Sequence, residues 1–179
     1  LAILALTTST LIFLFTGSAV LPLKSLVMNV LTLGASSGIL VVVFEWGRGL
    51  PGLESTQPIL LAATAFGLST DYAIFLFSRI KEARDAGLPN REAVADGLER
   101  TGRLVTAAAL LFCVAIGTFA TSGISFIQEL GVGTAVAVAL DATIIRALLV
   151  PSLMALLGEW NWWAPRPLQR LHARLGLAE

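Results

Sequence analysis

Charge is what this sequence has least of. Only 13% of its 179 residues are Asp, Glu, Lys or Arg, about half the share of an average soluble domain. Cysteine is almost absent: Cys113 stands alone, so no disulfide framework exists. His172 is the single histidine, and no Cys/His cluster has the spacing of a metal site. The same scarcity removes a Ser/His/Asp hydrolytic set, and no Gly-Lys phosphate loop is present. Formal net charge is zero, which offers no general attraction to nucleic acid. What remains is apolar: 56% hydrophobic residues and a mean hydropathy of +0.83. No soluble fold of this size hides that much apolar surface, so the excess faces lipid. A soluble enzyme, a secreted disulfide scaffold and a disordered tail are excluded.

The apolar residues fall into five stretches near the roughly 20-residue length that crosses a bilayer: Leu1–Leu21, Ser25–Phe44, Pro58–Ser78, Leu104–Ser122 and Phe126–Leu157. The expected fold is therefore an all-α membrane protein with five transmembrane helices across residues 1–163, followed by a basic tail over 164–179. A tight turn is expected at Pro22–Lys24, a loop at Glu45–Gln57 and a polar segment at Arg79–Arg103. Within that segment, Asn90–Thr101 reads as a separate amphipathic helix on the membrane surface, with Val94, Leu98 and Thr101 on one face. Ten of the twelve basic residues collect on the side that holds Lys24, Arg79–Arg103 and the tail. Positive loops stay cytoplasmic; the C-terminus is then inside, the first residue outside, in the plasma (inner) membrane. Trp160, Trp162 and Trp163 read as an interfacial belt on the same side. Leu1 already lies in an apolar run with no basic segment before it, which is expected of a piece of a longer membrane protein.

Three ionisable residues fall inside spans: Asp71, Asp141 and Arg146. Each costs on the order of 2.5–3.5 kcal/mol at the bilayer centre, and such residues persist where they face a bundle interior and act there. Asp71 shares its helical face with the small residues Thr64 and Gly67, and with Phe75 and Ser78. A second helix can approach that face closely and cover the carboxyl. Asp71 precedes Arg79 by eight residues, roughly 12 Å of helix, so it is expected to be buried slightly to the cytoplasmic side of the middle. Desolvation there favours the neutral acid, and a carboxyl poised between its two forms can load and release a proton. Tyr72 points about 100° away from Asp71, so its hydroxyl, donor and acceptor both, must find a partner on another helix. The alternative is that both residues only join helices, through bonds worth about 1 kcal/mol or less. Asp141 and Arg146 lie five apart, about 140° around an α-helix, a poor geometry for a direct pair. Each then finds partners elsewhere, or the arginine bends toward the acid; a structural ion pair is an equal possibility. Glu129 and Arg48 are expected at the outer boundary. Gly34-Ala35-Ser36-Ser37-Gly38 is a small-residue stripe suited to tight helix contact.

The stretch Gly67-Leu-Ser-Thr-Asp71-Tyr72-Ala-Ile-Phe-Leu-Phe-Ser-Arg79-Ile-Lys-Glu82 resembles the Asp-Tyr signature of the MmpL (mycobacterial membrane protein large) transporters of the resistance–nodulation–division superfamily. The likeness continues through Glu92-Ala-Val, Thr101-Gly-Arg103, Thr106-Ala-Ala-Ala and Glu129-Leu-Gly-Val-Gly. It extends to Leu140-Asp141-Ala-Thr-Ile-Ile-Arg146-Ala-Leu-Leu-Val-Pro151 and the Trp-rich ending. It implies that the chain forms most of one half of a helical bundle, helices eight to twelve of a longer protein, beside a matching N-terminal half and porter domains. It further implies that Asp71 and Tyr72 pair with the corresponding residues of that half as a proton relay. Some members carry a glutamate after the tyrosine, where this chain has Ala73.

The reading is a transporter rather than an enzyme. It is driven by protons, with no cofactor, and exports lipids or other large amphiphiles from the inner membrane toward the envelope, among membrane lipids and without nucleic acid. Its proton relay is Asp71 and Tyr72, with Asp141, Arg146, Thr64 and Gly67 in support. The rivals are a drug exporter or translocation accessory of the same superfamily, and a sensor or scaffold whose membrane acids only hold helices together.

Overall fold

The computed structural model describes residues 2–47 and 56–174, and Arg48 lies outside them. Among the described residues every regular element is helical: α1 (Ala2–Thr16), α2 (Val20–Leu40), α3 (Gln57–Asp85), α4 (Asn90–Gly117), α5 (Ser125–Leu140), α6 (Val150–Leu157) and α7 (Arg166–Arg174). Two π-helical segments extend this set. Val41–Trp46 prolongs α2, and Asp141–Leu149 joins α5 to α6 in one continuous rod. Four helical runs are long and apolar enough to cross a membrane: Val20–Trp46, Gln57–Asp85, Asn90–Thr121 and Ser125–Trp162. The described part of the first, Ala2–Thr16, is a shorter apolar helix. Ile3, Leu6, Val30, Leu104, Leu111, Leu148 and Leu156 are all exposed, the outward apolar surface that lipid requires. The chain is a multi-pass membrane protein.

α3 is the central helix, packed against α1, α2, α4 and α5. Its Ala73, Leu76, Phe77 and Ile80 meet Ile12, Met28, Val94, Ile145 and Met154 in the larger core. A smaller core joins Leu40 and Phe44 to Leu61, Ala65 and Ala137.

The first turn falls earlier than Pro22–Lys24. Gly17 takes φ +69° and ends α1, a conformation that glycine adopts without steric cost. The Ser18 hydroxyl then accepts from the N–H groups of Val20 (3.0 Å) and Leu21 (3.3 Å) and opens α2. Pro22 therefore occupies the first turn of α2, where its missing N–H leaves no bond unmade, and Lys24 lies within the helix and is buried. The segment Asn90–Thr101 is not a separate surface helix either. Only Gly102 interrupts it, which weakens a helix without stopping it, so α4 runs unbroken to Gly117. Its buried face of Ala93, Val94, Gly97 and Thr101 packs onto the polar end of α3 rather than onto lipid.

Helix contacts are tightest at glycines other than Gly34 and Gly38, where an added methyl group would meet nothing within 4 Å. A methyl group at Gly131 would fall 2.6 Å from Phe119 Cβ and 2.9 Å from the Ile116 carbonyl oxygen. At Gly97 it would fall 2.5 Å from Ile80 Cγ1. Gly131→Ala must shift backbone and is expected to cost about 1–3 kcal/mol. Gly34→Ala is expected to stay within about 0.5 kcal/mol. Unfolding midpoints in detergent check both.

The turn after α1, the α3–α4 turn and the Gly158–Trp163 segment gather at one end of the bundle. Asn161 is fully buried there; its Nδ2 donates to the carbonyls of Met154 (2.8 Å) and Gly158 (2.7 Å). Ser18 Oγ donates to the Asn161 carbonyl (2.5 Å), and Ala19 N–H to that of Trp163 (3.1 Å). Trp160 and Trp163 are exposed, as an interfacial belt requires. Trp162 is turned inward instead: its Nε1 donates to Asn90 Oδ1 (3.1 Å), and Arg84 lies 4.7 Å over its ring. The tail is docked too. His172 is buried, its Nε2 3.0 Å from the Leu14 carbonyl and its ring edge-on to Phe13. Glu129, about one turn into α5, is likewise buried, at 2% exposure.

Candidate functional site

The ionisable residues of the spans separate into an inner cluster and an outer surface. At the centre of the inner cluster, Arg146 Nη2 donates to Asp141 Oδ2 at 2.6 Å, and both side chains are at least nine-tenths buried. Five residues is the wrong interval for such a pair on an α-helix. The Asp141–Leu149 segment is π-helical, and i→i+5 bonding winds the backbone wider so that residue i+5 returns above residue i. The direct pair follows from that change of winding. The cost of desolvating both charges is offset only where further polar contacts complete them. Arg146 Nη2 also donates to the Ser69 carbonyl (3.0 Å) and lies 3.3 Å from Ser69 Oγ. The Ser69 hydroxyl has two acceptors in reach, Asn29 Oδ1 at 2.7 Å and Asp141 Oδ1 at 3.2 Å. One proton serves one of them at a time. Arg146 Nε and Nη1 and Asn29 Nδ2 are buried without a partner among the described residues.

Tyr72 joins this cluster through its ring, not its hydroxyl. The Arg146 guanidinium carbon lies 5.2 Å from the ring centroid, a cation–π contact in a desolvated setting. The Tyr72 hydroxyl has no hydrogen-bond partner among the described residues. Tyr72 lines a cavity of ≈ 10 Å³ with Ser69 and Asp141. Ser69 and Asp141 also line a second cavity, of ≈ 20 Å³, that reaches Lys24, Asn29 and Arg146.

Asp71 is elsewhere. It is exposed, on the side of α3 that none of the other described helices covers, and its carboxyl has no partner among them. The burial expected of it is therefore not supplied by this chain's own helices, because α3 turns the Ala73–Leu76–Phe77–Ile80 side to its neighbours. Along the same uncovered side, a methyl group added at Gly67 would meet nothing within 4 Å, and half-buried Thr64 donates its hydroxyl to the Leu60 carbonyl (2.9 Å). The structure thus places Asp141, Arg146 and Tyr72 together and leaves Asp71, Thr64 and Gly67 on an open surface. Sequence reasoning missed Asn29, Ser69 and Lys24. Asn29 carried a usable signal, since an amide in the middle of an apolar span seeks a partner across helices. Lys24 was hidden by its assignment to a turn. No group of three or more His, Cys, Asp or Glu side chains among the described residues could hold a metal ion.

The sequence matches the MMPL family over residues 1–175. A membrane protein of Streptomyces coelicolor is 49% identical over 177 residues, covering 94% of this chain and 25% of that protein. The trehalose monomycolate exporter MmpL3 of Mycolicibacterium smegmatis is 46% identical, covering 99% of this chain and 18% of that protein. The mycolic acid-containing lipids exporter MmpL11 of the same organism is 45% identical, over 86% of this chain and 17% of that protein. The chain thus spans a quarter or less of the length of these relatives.

Proposed function

Because the chain belongs to the MMPL family, we propose that it forms most of one half of the membrane bundle of a proton-driven exporter. Its cargo is a lipid or other large amphiphile moved from the plasma membrane toward the envelope, as the names of the relatives suggest. Asp71 and Tyr72 are its proton relay, Asp141 and Arg146 the fixed charges behind it, and the end that carries the basic residues faces the cytoplasm.

One observation carries the proposal: a carboxyl at mid-span stands on the outer surface of the bundle with none of the described helices over it. Hydrocarbon does not tolerate that arrangement, so a second protein surface closes on Asp71, Thr64 and Gly67. A matching half-bundle bearing its own acid and tyrosine fits the small residues there. Tyr72, anchored by Arg146 behind its ring, keeps a free hydroxyl to offer across the seam. The function is tested with the full-length protein in proteoliposomes. An imposed pH gradient is expected to drive lipid transfer, and a protonophore to stop it. Transfer that persists undiminished with the protonophore would remove proton coupling from the proposal.

A further inference from the structure

A buried cation outside the Asp71–Tyr72 pair lies at the end of the bundle where the chain turns. Lys24 is 9% exposed and has no carboxylate partner among the described residues. Its Nζ donates to one neutral group, Asn161 Oδ1, at 3.0 Å. Two of its three donors face no such partner. An ammonium in that position is normally paired with an acid. Glu159, an acid at the same end, is engaged by Arg84 instead.

The cavities say where Lys24 leads. The ≈ 20 Å³ cavity runs from Lys24 past Asn29 and Ser69 to Asp141 and Arg146. The ≈ 10 Å³ cavity shares Ser69 and Asp141 with it and is lined by Tyr72 as well. Each has room for about one water, and both are lined by Ser69, whose hydroxyl gives one hydrogen bond and accepts another. Of the residues lining the two cavities, the charged ones are Lys24, Asp141 and Arg146. Asp141 is held by Arg146 and serves as a fixed negative charge beside the path. The buried side chain beyond it that is able to take up and release a proton is Lys24.

We propose that Lys24 is the proton exit of the relay: a proton leaving Tyr72 passes through Ser69 and cavity water to the Lys24 amine, which then surrenders it to the cytoplasm. The inference rests on the proton-driven reading above. In each cycle the Lys24 ammonium first releases a proton to cytoplasmic water, breaking one N–H bond, and the neutral amine then takes one from cavity water. That water is refilled through the Ser69 hydroxyl from Tyr72, whose hydroxyl regains its proton from Asp71, so no net charge or atom accumulates. Asn161, itself fixed by two backbone carbonyls, holds the amine at the mouth.

A purely structural Lys24 needs only its length, charge and bond to Asn161, which arginine preserves; arginine, however, does not give up its proton. In the full-length protein, Lys24→Arg is expected to keep the wild-type unfolding midpoint while gradient-driven lipid transfer falls at least tenfold. Lys24→His restores a titratable group. It is expected to retain transfer within about threefold of wild type, with the pH profile displaced toward acid. Wild-type transfer by Lys24→Arg overturns the proposal, as does a folded but inactive Lys24→His. Asp71→Asn runs beside them as the control for the underlying reading. Transfer by that variant would sink the relay itself, whereas an inactive Asp71→Asn with an active Lys24→Arg would sink only the exit.

Discussion

Asp71→Asn is expected to abolish gradient-driven export in the full-length protein while its abundance in the membrane stays at the wild-type level. Asparagine matches aspartate in size and still offers an acceptor and two donors, so a hydrogen bond joining two helices through this position is still available to it. Such bonds average about 0.6 kcal/mol and rarely exceed about 1.7 kcal/mol in membrane proteins, too little to unfold the bundle. What asparagine cannot do is load a proton. Asp71→Glu keeps that ability at the cost of one methylene of displacement and is expected to retain part of the activity. Lipid transfer in proteoliposomes, normalised to inserted protein, decides the matter. A rate in Asp71→Asn within twofold of wild type would leave this residue with a packing role only.

Arg146→Met is expected to cost about 3–5 kcal/mol of stability, because it strands the Asp141 carboxylate without its partner in a low-dielectric site. Asp141→Leu strands the arginine and is expected to cost about as much. The double variant Asp141→Leu/Arg146→Met leaves neither charge behind, and buried pairs replaced by apolar residues of similar volume are often neutral or even stabilised. It is therefore expected to recover most of the loss. Unfolding midpoints of the three variants in detergent give the coupling energy directly. Additive losses would mean that the 2.6 Å contact contributes nothing of its own.

The legible part of this fold was whatever depends on composition along a single helix. Pro58 falls in the first turn of α3 and Asn90 opens α4, and both were readable from residue type. The all-α membrane class followed from the runs themselves, and Asp141 and Arg146 stood out because charge in an apolar run is rare. What escaped reading depends on winding and on neighbours. An α-helical interval makes Asp141 and Arg146 diverge, and nothing in Asp141-Ala-Thr-Ile-Ile-Arg146 announces a π segment that unites them. Gly17 ended α1 where an unbroken apolar run suggested continuation. Lys24 read as a loop cation because burial is decided by Asn161, 137 residues away. Asp71 is the reverse case: its chemistry was visible, but the surface that covers it is not among this chain's described helices.

The fastening of the two ends of the chain bears on biogenesis. Ser18 reaches Asn161 across 143 residues, and His172 reaches Leu14 across 158. A ribosome delivers α1 and α2 to the lipid long before either late partner emerges. Until then Lys24 and the Ser18 hydroxyl have only water or an insertion factor to satisfy them. Closure of this end is thus a late, post-insertion event, and newly made chains halted before Asn161 would wait with that mouth unlatched.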